Sequence, residues 1–173
     1  MTEANITNLD AFLDIHLDEI PDLPSFLTIP NGAHLVKLMV PKIDHDKGTI
    51  SITGTYIGTE ELDNADDSAK LPSGAGGFIG ETFRPGKENP QAGVQRIKML
   101  FKDIADARGW MSVRDILNGI EGMEVIFVTK LRAGKKDEAT GETPLFVGVK
   151  AVIDPDTYKA LKGSAEGGVA QPA

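Results

Sequence analysis

Apolar and polar positions alternate in several segments of the chain, and this period of two predicts β-strands. In NGAHLVKLMV the residues Val36, Leu38 and Val40 fall on one face, and ISITGTYIGT follows as a second strand in which Gly54 suggests a bulge. FIGETFR is expected to be a short third strand. MEVIFVTKLR and PLFVGVKAVI carry the strongest pattern and are joined by the polar AGKKDEATGET, so we predict that they form a hairpin.

Between the third and fourth predicted strands the apolar period changes to that of a helix. Asn89 is expected to cap this helix, and Pro90 suits its first turn. Its apolar stripe consists of Val94, Ile97, Phe101 and Ile104. A second, shorter helix is predicted to begin after Ser112 and to end near Gly119.

These elements predict a mainly β protein of the α+β class with one to three helices. Five strands with a helix between strands 3 and 4 is the order of the OB-fold, a five-stranded Greek-key barrel. A β-sandwich with an inserted helix is the alternative. The predicted division of the chain is an acidic, Pro-rich N-terminal arm (1–30), an OB-like core domain (31–155) and a flexible C-terminal tail (156–173) that includes the linker-like GSAEGGVAQPA.

Charge is distributed unevenly along the 173 residues, whose net charge is −8. The first 31 residues contain six acidic residues and no Lys or Arg, whereas eleven Lys or Arg residues lie between Arg84 and Lys136. The global acidity therefore does not exclude an anionic partner. There is no cysteine, no apolar run near the length of a membrane span and no export signal at the N-terminus, so we expect a cytoplasmic location without membrane contact.

Motifs for catalysis or cofactor binding are not apparent. The glycines of SGAGGFIG lack the Gly-Lys-Ser/Thr ending of a phosphate loop, and Asp44, His45 and Asp46 are consecutive in a turn, where they cannot easily converge on a metal ion. No nucleophile is recognisably paired with a base. We therefore predict no enzyme activity, no cofactor and no metal site.

The spacing of three segments resembles that of phage-encoded single-stranded DNA-binding proteins with an OB-fold core. The segments are DLPSF…IPNGAHLVKL, GVQRIKMLFKDIADARGW and ILNGIEGMEVIFVTKLR, and the resemblance covers roughly residues 20–155. It implies sequence-independent binding of single-stranded DNA during phage replication or recombination, in the cytoplasm of a bacterial host. The chain departs from such proteins at its C-terminus, because GGVAQPA is not the acidic tip that many of them carry.

Binding of a single strand requires cations for the phosphates and planar faces for the bases. Alternation in LFVGVKAVI predicts Leu145, Val147, Val149, Ala151 and Ile153 on the core face. Phe146 is then expected to stack a base on the opposite face, or to be covered by another element. The predicted phosphate contacts are Lys130, Arg132, Lys135, Lys136 and Lys150 on the hairpin, with Lys42 and Lys47 on the opposite wall of a groove.

Three further residues complete the predicted nucleic-acid site. Tyr56 is a stacking candidate only if a bulge at Gly54 turns it away from the core, and Phe83 beside Arg84 could stack a base or belong to the core. Trp110 is expected to plug the barrel.

Two other functions remain open from the sequence. The Pro-rich arm and the Gly-rich tail suit a virion or assembly protein that contacts its neighbours, and the acidic arm suits an accessory subunit that binds a replication or recombination enzyme. The sequence likewise leaves a homo-oligomer open.

Overall fold

The computed structural model describes residues 26–167, so the predicted arm lies almost entirely outside the described residues. The strands are β1 (Gly32–Leu38), β2 (Lys42–Asp44), β3 (Thr49–Leu62), β4 (Phe78–Phe83), β5 (Glu124–Ala133) and β6 (Leu145–Ile153). The α-helices are α1 (Ala92–Arg108), α2 (Val113–Gly119) and α3 (Pro155–Gly167), and a 3₁₀ helix spans Ala65–Lys70.

The six strands form one sheet of antiparallel pairs in which β1 lies between β3 and β5. β3 also pairs with β2 and β4, and β5 pairs with β6 as the predicted hairpin. A parallel bridge joins Phe26 to Phe78. The predicted α+β class is confirmed, as is the position of α1 between FIGETFR and MEVIFVTKLR. The sheet is not closed into a barrel, because among the described strands β4 and β6 form no backbone pairing with each other.

The main core lies between the sheet and α1. The helix buries Ile97, Phe101 and Ile104 of its predicted stripe, whereas Val94 at its first turn is 41% exposed. The three buried helix residues pack with apolar side chains of the inner sheet face: Val36, Leu38, Ile52, Tyr56, Ile79, Phe83, Val125, Phe127 and Val149.

The helix ends follow local hydrogen bonding. The predicted Asn89 cap is wrong: α1 begins at Ala92 after Gln91, and Asn89 Oδ1 accepts the Gln91 N–H in a turn before the helix. Ser112 caps α2 as predicted, and Asp115 completes a capping box by accepting the Ser112 N–H.

A second apolar cluster covers the outer face of the sheet, where the sequence pattern predicted no helix. The α3 residue Tyr158 packs there on Ala33 and Ile126, with Leu35, Val128 and Ile153 around them. The Tyr158 hydroxyl donates to Glu61 Oε2 at 2.7 Å. The predicted flexible tail therefore begins with a helix that covers one part of the outer sheet face.

Two backbone irregularities differ from the sequence prediction. The register shifts between β1 and β3 lie opposite Ala33/His34 and Leu35/Val36, not at Gly54. Gly54 instead permits close approach, since a Cβ there would lie 2.3 Å from Val36 Cγ1. In β6 the backbone pairing with β5 skips Lys150, so the residues after it point to the opposite faces from those that alternation predicts. Val152 therefore joins the main core, and Ile153 packs on the outer face.

Candidate functional site

The gap between β4 and β6 is bridged by one carboxylate. Glu81 Oε2 accepts the Val149 N–H at 2.9 Å and an Arg96 Nη2 hydrogen at 3.0 Å, and Arg96 Nη2 also lies 3.0 Å from the Val149 carbonyl oxygen. The backbone N–H and carbonyl of Val149 are thus hydrogen-bonded by side chains, at an edge where a neighbouring strand would otherwise pair. On the other carboxylate oxygen, Glu81 Oε1 lies 3.5 Å from Arg132 Nη1.

A groove of about 390 Å³ opens to the outer side of this gap. The residues that line it come from both strand edges and from β5: Gly80, Glu81, Thr82, Arg84, Arg132, Phe146, Val147 and Gly148. Phe146 is 59% exposed, and the Arg132 side chain is 50% exposed. The groove therefore combines the ring of Phe146 with Arg84 and Arg132. The Glu81 carboxylate beside them is already hydrogen-bonded.

The outer face continues from the groove as a polar strip across β4, β3 and β2. Thr82 pairs with Ser51, their hydroxyls are 2.8 Å apart, and Ser51 pairs in turn with Lys42. Directly paired residues of antiparallel strands point to the same face, so Lys42 lies on the same face as Thr82. We call the groove and this strip together the groove face.

A second pocket of about 280 Å³ adjoins the groove and shares Glu81, Thr82 and Arg84 with it. Arg96 lines this pocket, and its guanidinium carbon lies 5.9 Å from the centre of the Phe83 ring. Glu81 and Arg96 did not emerge as site residues from the sequence. The signal for Glu81 was its position: it is the only charged residue in the FIGETF strand, in phase with the core residues Ile79 and Phe83.

The predicted basic residues fall into three groups. Arg84 and Arg132 line the groove with Phe146, and Lys130 is paired with Gly148 beside them. The exposed residues Lys135 and Lys136 lie in the loop between β5 and β6.

The remaining predicted cations do not line the groove. Lys150 is exposed at the skipped position of β6, while Lys42 lies on the polar strip. Lys47 lies in the turn between β2 and β3, where its ammonium group is 3.7 Å from Asp44.

Two of the stacking candidates, for which a core position was also left open, are core residues. Tyr56 is 3% exposed and Phe83 is 4% exposed, because both point to the inner face of the sheet. No bulge at Gly54 turns Tyr56 outward, and Ile50 and Ile52 precede it with the same inward phase. Trp110, which was expected to plug a barrel, is half-buried against the core of the open sheet and lies across Gly119, where a Cβ would be 2.2 Å from Trp110 Cζ2.

A buried hydrogen-bonded chain lies at the β1–β3 pair. His34 is fully buried, and its Nε2–H donates to the Pro30 carbonyl at 2.9 Å. With a neutral ring, Nδ1 accepts the Thr59 hydroxyl hydrogen at 2.8 Å, and Thr59 Oγ1 accepts the Tyr56 hydroxyl hydrogen at the same distance. Burial lowers the pKa of His34 below its ordinary value, against the opposing effects of the Pro30 carbonyl and the charge of Asp63.

Two other kinds of feature are absent from the described part of the chain. No cluster of three His, Asp or Glu side chains that could hold a metal ion occurs among the side chains described between residues 26 and 164. None of the helices in that range has the length and apolar character needed to cross a membrane.

Comparison with known proteins gives no relative: no protein family, curated protein or solved structure matches this chain.

Proposed function

We propose that this protein binds single-stranded DNA along the groove face, without catalysis and largely without regard to sequence. The observation that carries the proposal is the meeting of Arg84, Arg132 and Phe146 in one open groove. Cations beside an exposed aromatic ring are what a single strand requires, since phosphates attract the former and unpaired bases stack on the latter.

The fold supports the same proposal in its finer form, an OB-type barrel. If β1 and β2 are counted as one interrupted strand, the sheet order is β4-β3-β1-β5-β6, and the edges of β4 and β6 approach each other through Glu81. In OB-folds, oligonucleotides bind across the second and third strands, between the loop joining strands 1 and 2 and the loop joining strands 4 and 5. Here these loops hold Lys47 and the pair Lys135 and Lys136.

The loop between β5 and β6 is well suited to present its lysines. Gly134 N–H donates to the Pro144 carbonyl at 2.7 Å, and Asp137 N–H donates to the Glu142 carbonyl at 2.8 Å. The Asp137 carboxylate accepts the Ala139 N–H at 2.8 Å. These bonds hold the loop at the end of the groove, where Lys135 and Lys136 would meet the phosphates of a strand leaving it.

The test is a salt titration of DNA binding. A fluorescein-labelled oligothymidylate of about 12 nucleotides, within the 4–16 that such a site covers, should bind the protein. The logarithm of its affinity should fall linearly with the logarithm of the salt concentration. The double variant K135A/K136A should flatten this slope by roughly 1.4, because each phosphate contact on a single strand contributes about 0.7. The matched control K98A/K159A removes the same charge from exposed helix positions outside the groove, and should retain the wild-type slope.

Absence of binding at low salt, or equal affinity for the corresponding duplex, would overturn the proposal. Sedimentation of the protein as a large particle without DNA would then favour the assembly role. Copurification with a replication or recombination enzyme would favour the accessory role. The phage setting and the cytoplasm of a bacterial host rest on the resemblance alone and belong to the proposal.

A further inference from the structure

Arg132 lies across the backbone of a glycine on the neighbouring strand. It pairs with Phe146 in the β5–β6 ladder, and its side chain runs diagonally over Gly148, which pairs with Lys130. A Cβ at Gly148 would lie 2.5 Å from Arg132 Nε, 2.9 Å from Cζ and 3.1 Å from Cδ. Any larger residue at this position would displace the guanidinium group.

Phe146 occupies an equivalent position one step along the hairpin. Its ring lies across Gly134, where a Cβ would be 2.5 Å from Phe146 Cε2 and 3.2 Å from Cδ2. The paired residues Arg132 and Phe146 thus each pack their planar group against a glycine on the opposite strand or in the loop that follows. Both keep about half of their surface exposed at the groove, 50% for the Arg132 side chain and 59% for Phe146.

The charge of Arg132 is already partly matched. Its Nη1 lies 3.5 Å from Glu81 Oε1, and Glu81 is itself held by Arg96 and by the Val149 N–H. Lys130, two residues away on the same strand face, forms no ion pair with the side chains described between residues 26 and 164. Lys130 is therefore the stronger attractor for a phosphate. The guanidinium group of Arg132 is held by Glu81 and exposes a planar face.

We propose that Arg132 and Phe146 are two adjacent stacking platforms for unpaired bases. Glycine is required at positions 148 and 134 because a Cβ there would occupy the space of the Arg132 and Phe146 side chains. This inference rests on the proposed function and refines it. Arg132 contacts a base, whereas both the sequence prediction and the proposal above gave it a phosphate contact. Guanidinium planes and phenyl rings both stack bases without regard to sequence. A lysine cannot substitute, because its ammonium group is a point charge without a plane.

The test separates shape from charge at one position. R132K retains the charge, so under the proposal it should weaken binding of the labelled oligothymidylate by about 5- to 150-fold, the range for one lost base stack. Its salt slope should stay at the wild-type value, because no phosphate contact is lost. F146A should give a loss in the same range, also without a change in slope.

Gly148→Ala provides a second variant that alters no charge. The atoms it would strike belong to the flexible end of the Arg132 side chain, so the backbone should tolerate it while the guanidinium moves. We expect a loss of affinity similar to that of R132K. Gly58→Ala is the matched control, since a Cβ at that strand glycine would meet no atom within 4 Å, and this variant should bind as wild type.

An oligonucleotide in which abasic sugars replace the bases gives an independent readout. Under the proposal R132K and wild type should bind this probe equally, because no base remains to be stacked. The inference is overturned if R132K binds the ordinary oligothymidylate as wild type while R132Q flattens the slope by roughly 0.7, the signature of a phosphate contact. It is also overturned if G148A binds like G58A. Absence of binding by the wild-type protein would instead refute the proposed function itself, and the stacking assignment with it.

Discussion

Replacement of Glu81 should destabilise the fold by removing the group that joins the edges of β4 and β6. In Glu81→Ala the Val149 N–H loses its acceptor, and the guanidinium of Arg96 loses its counter-charge at 3.0 Å. Removing one member of a buried ion pair costs about 3–5 kcal/mol. Because the Glu81 and Arg96 side chains retain 14% and 29% exposure, we expect the lower end, about 3 kcal/mol.

Two further variants separate the parts of this contribution. Glu81→Gln keeps an oxygen that can accept the Val149 N–H but loses the charge, so it should cost about 1–2 kcal/mol. A double-mutant cycle of E81A with R96M should give a coupling of about 1–3 kcal/mol, because the two side chains are in contact. Glu138→Ala, in the exposed β5–β6 loop, is the control and should stay within about 0.5 kcal/mol of wild type.

The assay is equilibrium unfolding in urea, followed by circular dichroism, with the free energy of unfolding extrapolated to water. A loss of 3 kcal/mol would also lower Tm by about 6–12 °C for a chain of this size. The reasoning fails if E81A and E138A are equally stable, or if the cycle shows no coupling between Glu81 and Arg96. Either result would mean that the edges of β4 and β6 are held by other contacts.

Two other predictions concern protons and the N-terminal arm. His34 is buried in its neutral form, and its pKa in the folded protein is lowered. As the pH falls, the unfolded chain therefore takes up a proton on His34 before the folded protein does. The contribution of His34 to stability should be constant above the unfolded pKa of about 6.5 and fall by up to about 1.4 kcal/mol per pH unit below it. Urea unfolding between pH 8 and pH 5 checks this, and a His34→Gln variant with the same pH dependence would contradict it. Residues 1–24 lie outside the described residues and carry six acidic residues and no basic ones. If they shield the groove face, a protein lacking them should bind the oligothymidylate more tightly at low salt, and unchanged or weaker affinity would reject shielding.

The order of strands and helices could be predicted because local periodicity carries it. The hairpin and the buried stripe of α1 both follow from spacing alone. The same spacing failed at Lys150, where one skipped residue reverses which side chains face the core. Alternation has no signal for such a skip, so the inward placement predicted for Ile153 was wrong.

The helix α3 was missed because its own sequence, PDTYKALKGSAEG, is largely polar and contains two glycines. The signal lay elsewhere: Val125 to Val128 form an unbroken apolar run, which indicates a strand covered on both faces. One face packs on the main core, so the other required a cover that the predicted elements did not supply.

The exposure of the cations and of Phe146 could be predicted from the sequence, but their arrangement around a groove could not. Exposure of a lysine follows from its chemistry, whereas the distance between Glu81 and Arg132 depends on how β4 and β5 meet across the sheet. Tyr56 and Phe83 illustrate the same limit, because an aromatic residue in a strand has the same local pattern whether it lines a groove or fills a core.

The central place of β1 in the sheet has a consequence for how the protein is made. During synthesis β1 can pair with β3 early, but its other neighbour contains Thr129, 97 residues beyond its partner Gly32. Until β5 leaves the ribosome, one edge of β1 keeps its backbone donors and acceptors unpaired. Closing so long a loop is slow, and sheets dominated by such distant pairings fold in milliseconds to seconds. The nascent sheet therefore stays incomplete until the β5–β6 hairpin has been synthesised.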